Sequence, residues 1–230
     1  MPSSMISHVR IADVFSLLNA SLGIGAILLL FNDMYTSAFS LILLAILADG
    51  LDGIIARKTG KGPLGSYLEA MADMISLCVA PLLFIYLFYS KALELVSSQF
   101  LLLVGLLFLL FICSMIRLSS FHILTTDRFF IGLPASATTV ILLCLALFPV
   151  DLIIMYIIIC VLSLALISPV KFPKPDKYVN AVAAVIFLTT ALFLSYAITE
   201  FLLLLLLVIL LYCVAGPLVR LIKKEKKKTK

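Results

Sequence analysis

The chain has 230 residues, 64% of them hydrophobic and only 13% charged, with a mean hydropathy of +1.27. Those values exclude a soluble globular domain and a disordered chain, and leave a polytopic membrane protein. The net charge of +5 does not point to nucleic acid, because it comes mostly from a Lys-rich stretch after Gly216-Pro217 that has no interleaved aromatic residues.

Apolar runs close to the roughly 20 residues of a helical crossing occur in eight places. They are Ala12–Phe31, Thr36–Ala56, Tyr67–Tyr89, Val96–Leu118, Ile131–Val150, Leu152–Val170, Val179–Ala197 and Glu200–Ile222. The expected fold is therefore all-α, a polytopic membrane bundle of about eight transmembrane helices. It forms one membrane domain over residues 1–222, with a basic cytoplasmic tail at 223–230 that meets membrane lipids. Before the first run, apolar Ile6, Val9, Ile11 and Val14 are interrupted by polar residues. That pattern lacks the features of a signal peptide and predicts a short interfacial amphipathic helix. The five cysteines sit singly in apolar runs and read as small core residues.

Charge sets the orientation. With eight spans both termini share a side, and that side collects sixteen of the 17 Lys and Arg residues, leaving only Lys91 on the other. Short cytoplasmic loops are enriched in Lys and Arg, so both termini are expected in the cytoplasm of an integral, multi-pass protein. Asp33, Glu94, Asp151 and Glu200 then fall at outer loops as ordinary solvated residues, and Asp13 falls at the interface.

The second and third runs carry the informative residues. Asp49 and Asp52 are three positions apart, about 60° on one helical face, and Gly53 and Ala56 share that face. Arg57 comes next, suited to bidentate contact with a phosphate group. On the third run Gly65, Glu69 and Asp73 recur every four residues as one stripe. Asp49 lies eight residues in from Arg57 and Asp73 eight in from Gly65, so the two stripes meet at equal depth. The Arg57–Gly65 connection holds glycines and a proline that disfavour helix, making the two helices neighbours.

Ionised groups at membrane depth mark function, and four gathered carboxylates need protons or cations to coexist. Their all-oxygen chemistry suits Mg²⁺ or Mn²⁺, with Ca²⁺ also possible. Two readings are open at this point: metal-assisted phosphoryl chemistry at the cytoplasmic surface, or a transporter that passes cations or protons along the same carboxylates. Glycines on the same faces and an arginine at the mouth favour the first.

Asp49-x-x-Asp52-Gly53-x-x-Ala56-Arg57 followed by Gly65-x-x-x-Glu69-x-x-x-Asp73 resembles the signature of the CDP-alcohol phosphatidyltransferases, DxxDGxxAR(x8)GxxxDxxxD. The stretches Asp13 to Asn19, Ala72 to Pro81, Arg117 to His122, Gly132 to Ala137 and Ser168 to Pro173 resemble its phosphatidylserine and archaetidylserine synthase branch. The resemblance implies a homodimeric enzyme with a six-helix core plus two helices. Its substrates would be a CDP-activated lipid (CDP-diacylglycerol or CDP-archaeol) and L-serine, with CMP as product. By the same resemblance Asp49, Asp52, Glu69 and Asp73 hold two divalent ions, Asp73 also acts as general base, and Gly53, Ala56, Arg57 and Gly65 lie along the nucleotide. The chain differs from the pattern in having Glu69 for Asp, seven residues rather than eight between Arg57 and Gly65, and His122 where the branch carries Asn.

The serine carboxylate needs a cation, for which Arg117, Arg128 and Lys171 are the candidates, each equally placed to fix topology. His122 is a candidate for serine or phosphate contact, and Asn19 for a hydrogen bond near the site or to a neighbouring helix. Rival acceptors, glycerol phosphate or an inositol phosphate, would need a denser basic pocket than these residues supply.

Overall fold

The computed structural model describes residues 5–60, 62–94, 96–124, 129–148, 150–174 and 177–228, without the side chains of residues 5, 6, 58, 121–124, 177 and 215–228. Eight helices succeed one another among these residues: α1 (Ile11–Leu30), α2 (Tyr35–Thr59), α3 (Gly65–Ser90), α4 (Ser98–Leu124), α5 (Ala135–Leu147), α6 (Leu152–Leu166), α7 (Lys177–Phe193) and α8 (Ile198–Lys228). They form an all-α bundle.

The first four are long and apolar enough to cross a membrane, with spans of 20 to 26 residues. The apolar parts of the other four are shorter, Ala135–Leu147, Leu152–Leu166, Tyr178–Phe193 and Ile198–Val214. Their surroundings account for two of these. α5 is buried along almost its whole length, from Ala137 through Cys144, so it packs against protein all round. α6 buries Met155, Ile159, Leu162 and Leu166 on one face and exposes Ile153, Ile154, Ile157, Val161 and Leu164 on the other. A helix apolar on both its protein face and its open face is built for a lipid surround.

The predicted runs over Ile131–Val150 and Leu152–Val170 shorten because one end of each, in the α4–α5 and α6–α7 connections, folds otherwise. Phe129–Ile131 (β1) pairs antiparallel with Lys171–Pro173 (β2) in a two-stranded ribbon, with Phe130 opposite Phe172. Gly132 N–H extends the pairing to Val170 O at 2.8 Å, and Leu133 N–H reaches Ala165 O at 3.0 Å. α8 clamps the ribbon: the Tyr212 hydroxyl donates to Pro173 O at 3.2 Å and its ring stacks on Phe172.

The predicted interfacial helix reduces to one 3₁₀ turn, Met5–His8. The chain then turns at Arg10 because Asp13, in the first turn of α1, accepts the Arg10 N–H at 2.8 Å and fixes where α1 begins. At the opposite end Lys91 and Asp33 form an ion pair that ties the α1–α2 turn to the end of α3, with the ammonium 5.7 Å from the Tyr35 ring centre. That lysine holds the Asp33 carboxyl below its ordinary range.

Gly132 sits at φ +77°, and an added Cβ would stand 2.2 Å from Leu166 O. Gly132→Ala is therefore expected to cost about 2 kcal/mol or more through backbone strain and overlap. Thermal unfolding of the purified protein should show a drop of roughly 4–8 °C, and an unchanged melting temperature would remove the ribbon from the framework.

Candidate metal and substrate site

Helices α1, α2 and α3 build the site. α1 turns one stripe inward, Ala12, Asp13, Ser16, Asn19, Gly23 and Ala26, all buried and spaced three or four apart beyond the first pair. Up to Ala26, before the buried Leu30 that ends the stripe, every residue is small or polar, so α2 and α3 pack close to it and hydrogen-bond across it. The Ser16 hydroxyl donates to Asp52 Oδ2 at 2.6 Å, and Asn19 Nδ2 donates to Asp73 Oδ1 at 2.9 Å. Each carboxylate helix is thereby held by its own side chain on α1.

Asp49, Asp52 and Glu69 offer carboxylate oxygens that all lie within 4.8 Å of one another. Asp73 stands in hydrogen-bonding range of Asp49, which joins the fourth acid to the group. The expected convergence of the two stripes is what the structure has. Two unit charges 4.8 Å apart repel by about 3.5 kcal/mol at an effective dielectric constant near 20. Three such pairs approach the whole stability of an ordinary domain, roughly 5–15 kcal/mol. Ionised together, the acids therefore need protons or compensating cations, and an all-oxygen donor set of this span fits a hard divalent cation.

A cleft beside the cluster is lined by Ala12, Asp13, Ser16, Asp52, Ala56, Gly65 and Glu69. Of the expected nucleotide residues, Ala56 and Gly65 face this cleft and are buried, Gly53 is half-buried, and Arg57 is exposed at the end of α2. The Arg57 guanidinium folds back along the helix to within 3.8 Å of where a Cβ on Gly53 would stand. The α2–α3 loop closes against the N-terminal segment. Gly60 takes φ +80°, and at Gly62 a Cβ would come 3.0 Å from both Asp13 Oδ2 and His8 O.

Asn19 is wholly buried, and its Oδ1 is left without a partner although Nδ2 is bonded to Asp73. An orphaned buried carbonyl oxygen costs about 1–3 kcal/mol unless a ligand answers it. Arg117 is 6% exposed, and its Nε donates to Leu133 O at 3.2 Å, which ties α4 to the segment after β1. Lys171 is exposed on β2, opposite Ile131. Arg128 and the side chain of His122 lie outside the described residues.

Two residues gained importance beyond their sequence reading. Asp13, expected at the interface, is 2% exposed and lines the cleft, and Ser16 holds a carboxylate of the cluster. The signal was available in the small-and-polar spacing of α1, which reads as a contact face once the stripe is laid out on a helix.

The family model described as CDP-alcohol phosphatidyltransferase matches residues 9–214. An archaetidylserine synthase of Methanothermobacter thermautotrophicus is 38% identical over 176 residues, 74% of this chain and 72% of that protein. A CDP-diacylglycerol–serine O-phosphatidyltransferase of Methanocaldococcus jannaschii is 33% identical over 205 residues, covering 89% of this chain and 92% of its own length. One of the same description from Bacillus subtilis is 34% identical over 154 residues, 65% of this chain and 81% of that protein.

If the Ser16 hydroxyl orients Asp52, Ser16→Ala should weaken divalent-ion binding by about 10- to 100-fold, the usual cost of losing such a supporting bond. Titration with Mn²⁺ measures this directly, and an unchanged half-saturation point would show that Asp52 needs no such support.

Proposed function

Because the chain belongs to the CDP-alcohol phosphatidyltransferase family, we propose that it transfers the lipid phosphate of a CDP-activated lipid to the hydroxyl of L-serine and releases CMP. The observation that carries the reading is the carboxylate cluster of α2 and α3, held from α1 beside a cleft lined by small and acidic residues. The names of the three relatives support serine as the acceptor.

In this reading Asp49, Asp52, Glu69 and Asp73 hold divalent cations, Mg²⁺ or Mn²⁺ by their oxygen chemistry. When bound, such ions neutralise charge on the pyrophosphate and on the departing CMP. The protein supplies the remaining parts. Gly53, Ala56 and Gly65 offer no bulk along the nucleotide face, and Arg57 supplies a guanidinium at the mouth for a phosphate oxygen. Asp73 takes the proton of the serine hydroxyl as that oxygen attacks the lipid-bearing phosphorus. Asn19 fixes the Asp73 carboxylate through Nδ2, leaving Oδ1 to accept a hydrogen bond from serine. Arg117 is assigned to the serine carboxylate. The site faces the cytoplasm, where serine and the released CMP are soluble, while the lipid chains stay in the bilayer.

Glu69 in place of Asp lengthens one metal-site arm by a methylene and keeps its donor chemistry. A cation transporter would use the same acids, and metal flux in proteoliposomes with no CMP from any CDP-lipid would favour it.

Purified protein with CDP-lipid, L-serine and Mn²⁺ or Mg²⁺ is expected to release CMP, and a chelator to stop it. Asp73→Asn should lower the rate by about 10²–10⁴-fold, the range for a positioned general base. CMP release with glycerol phosphate but none with serine would overturn the acceptor.

A further inference from the structure

α3 is not an α-helix throughout: Met74–Val79, which begins one residue after Asp73, is a π turn in which the Ala80 N–H donates to Ile75 O five residues back. The sequence explains it. In an α-helix Leu77 O would receive the N–H of residue 81, but that residue is Pro81, which has no N–H and whose ring clashes with the carbonyl four residues earlier. Widening the turn separates ring from carbonyl and leaves Leu77 O without its helical donor. Thr139, 1% exposed on α5, supplies one instead, its hydroxyl donating to Leu77 O at 2.8 Å.

The other side of the turn is gripped by α1. A Cβ on Gly23 would stand 2.8 Å from Ser76 Cα, so only glycine lets the two backbones come so close. Gly23 lies one helical turn after Asn19, which holds Asp73. Asp73 and Ser76 are thus pinned to a single face of α1 while Thr139 pins Leu77 to α5. An extra residue in a helical turn rotates the half of the helix before it against the half after it, so the turn sets the azimuth from which the Asp73 carboxylate leaves the helix.

We propose that Thr139 is a positioning residue for the reaction: by capping the carbonyl that Pro81 orphans, it locks the π turn that aims Asp73 at the substrate hydroxyl. The inference rests on the assignment of Asp73 as general base. It gives a purpose to a proline and a threonine that lie outside the carboxylate signature, and it makes α5 part of the catalytic framework without contact with substrate.

The test compares Thr139→Val, equal in size but without the hydroxyl, with Thr139→Ser, which keeps it. Thr139→Val is expected to lower kcat for CMP release about tenfold, in line with the sensitivity of proton transfer to small misplacements. KM for CDP-lipid and serine should stay within about twofold, and Thr139→Ser should recover the rate. Amide hydrogen exchange across residues 74–80 should quicken in Thr139→Val and not in Thr139→Ser. In a Pro81→Ala background, where residue 81 brings its own N–H, most of the Val-versus-Thr difference should vanish. Should Thr139→Val not yield folded protein, Thr139→Ala is read by the same criteria. An unchanged kcat in the variant without the hydroxyl, a loss that Thr139→Ser does not recover, or an effect on KM alone overturns the proposal. Asp73→Asn run alongside separates the two failures: full activity there refutes the base assignment and the role of Thr139 with it, whereas a dead Asp73→Asn beside a fully active Thr139→Val refutes the role of Thr139 alone.

Discussion

Mutual repulsion among carboxylates is the constraint around which this bundle is organised. Three acids on two helices bring oxygens within 4.8 Å of one another, a fourth touches one of them, and the surroundings are otherwise largely apolar. Such a cluster persists only if its members are held in place and their charge is relieved by protons or cations. The first requirement explains α1, whose inward face from Ala12 to Ala26 is a row of small and polar residues rather than the leucines expected of a lipid-facing helix. The second is met, in the proposed function, by divalent cations, which an all-oxygen donor set suits.

The same constraint orders the parts around it. The α2–α3 loop has to bring two acidic stripes to one depth, and it does so with glycines packed against the N-terminal segment. Asp13 fixes where α1 begins with one hydrogen bond and also lines the cleft, so the first turn of α1 and the wall of the cleft are set together. Farther away, the β1–β2 ribbon joins the α4–α5 and α6–α7 connections, with Tyr212 of α8 on β2 and Arg117 of α4 on Leu133 just after β1. The last helix thereby has a structural link to a residue assigned to the acceptor, although it lies beyond the six helices of the expected core.

Much of this was legible in the sequence. The helix order came from apolar run length, and the cluster came from spacing, because three- and four-residue intervals are faithful to a helix wherever it packs. The shortened α5 and α6 were not legible: Ile131, Leu133 and Val170 are as apolar as any span residue, and only the pairing of two distant strands and the hydrogen bonds beside it take them out of the helices. The π turn was hidden for a related reason. Pro81 announces a disturbance but not its form, which depends on Gly23 on one side and Thr139 on the other, 58 residues farther along the chain. The burial of Asp13 was not legible, because the loop that folds over it covers it and the apolar run does not show that loop.

The central claim is that Asp49, Asp52, Glu69 and Asp73 surround shared cations. The most direct measurement is anomalous scattering at the manganese edge from crystals of the protein grown with Mn²⁺ and a CDP-lipid. The account expects two peaks among these four side chains, each about 2.0–2.2 Å from carboxylate oxygens as hard divalent ions require. Density for the nucleotide with no metal peak there, or carboxylates turned toward lipid, would contradict it.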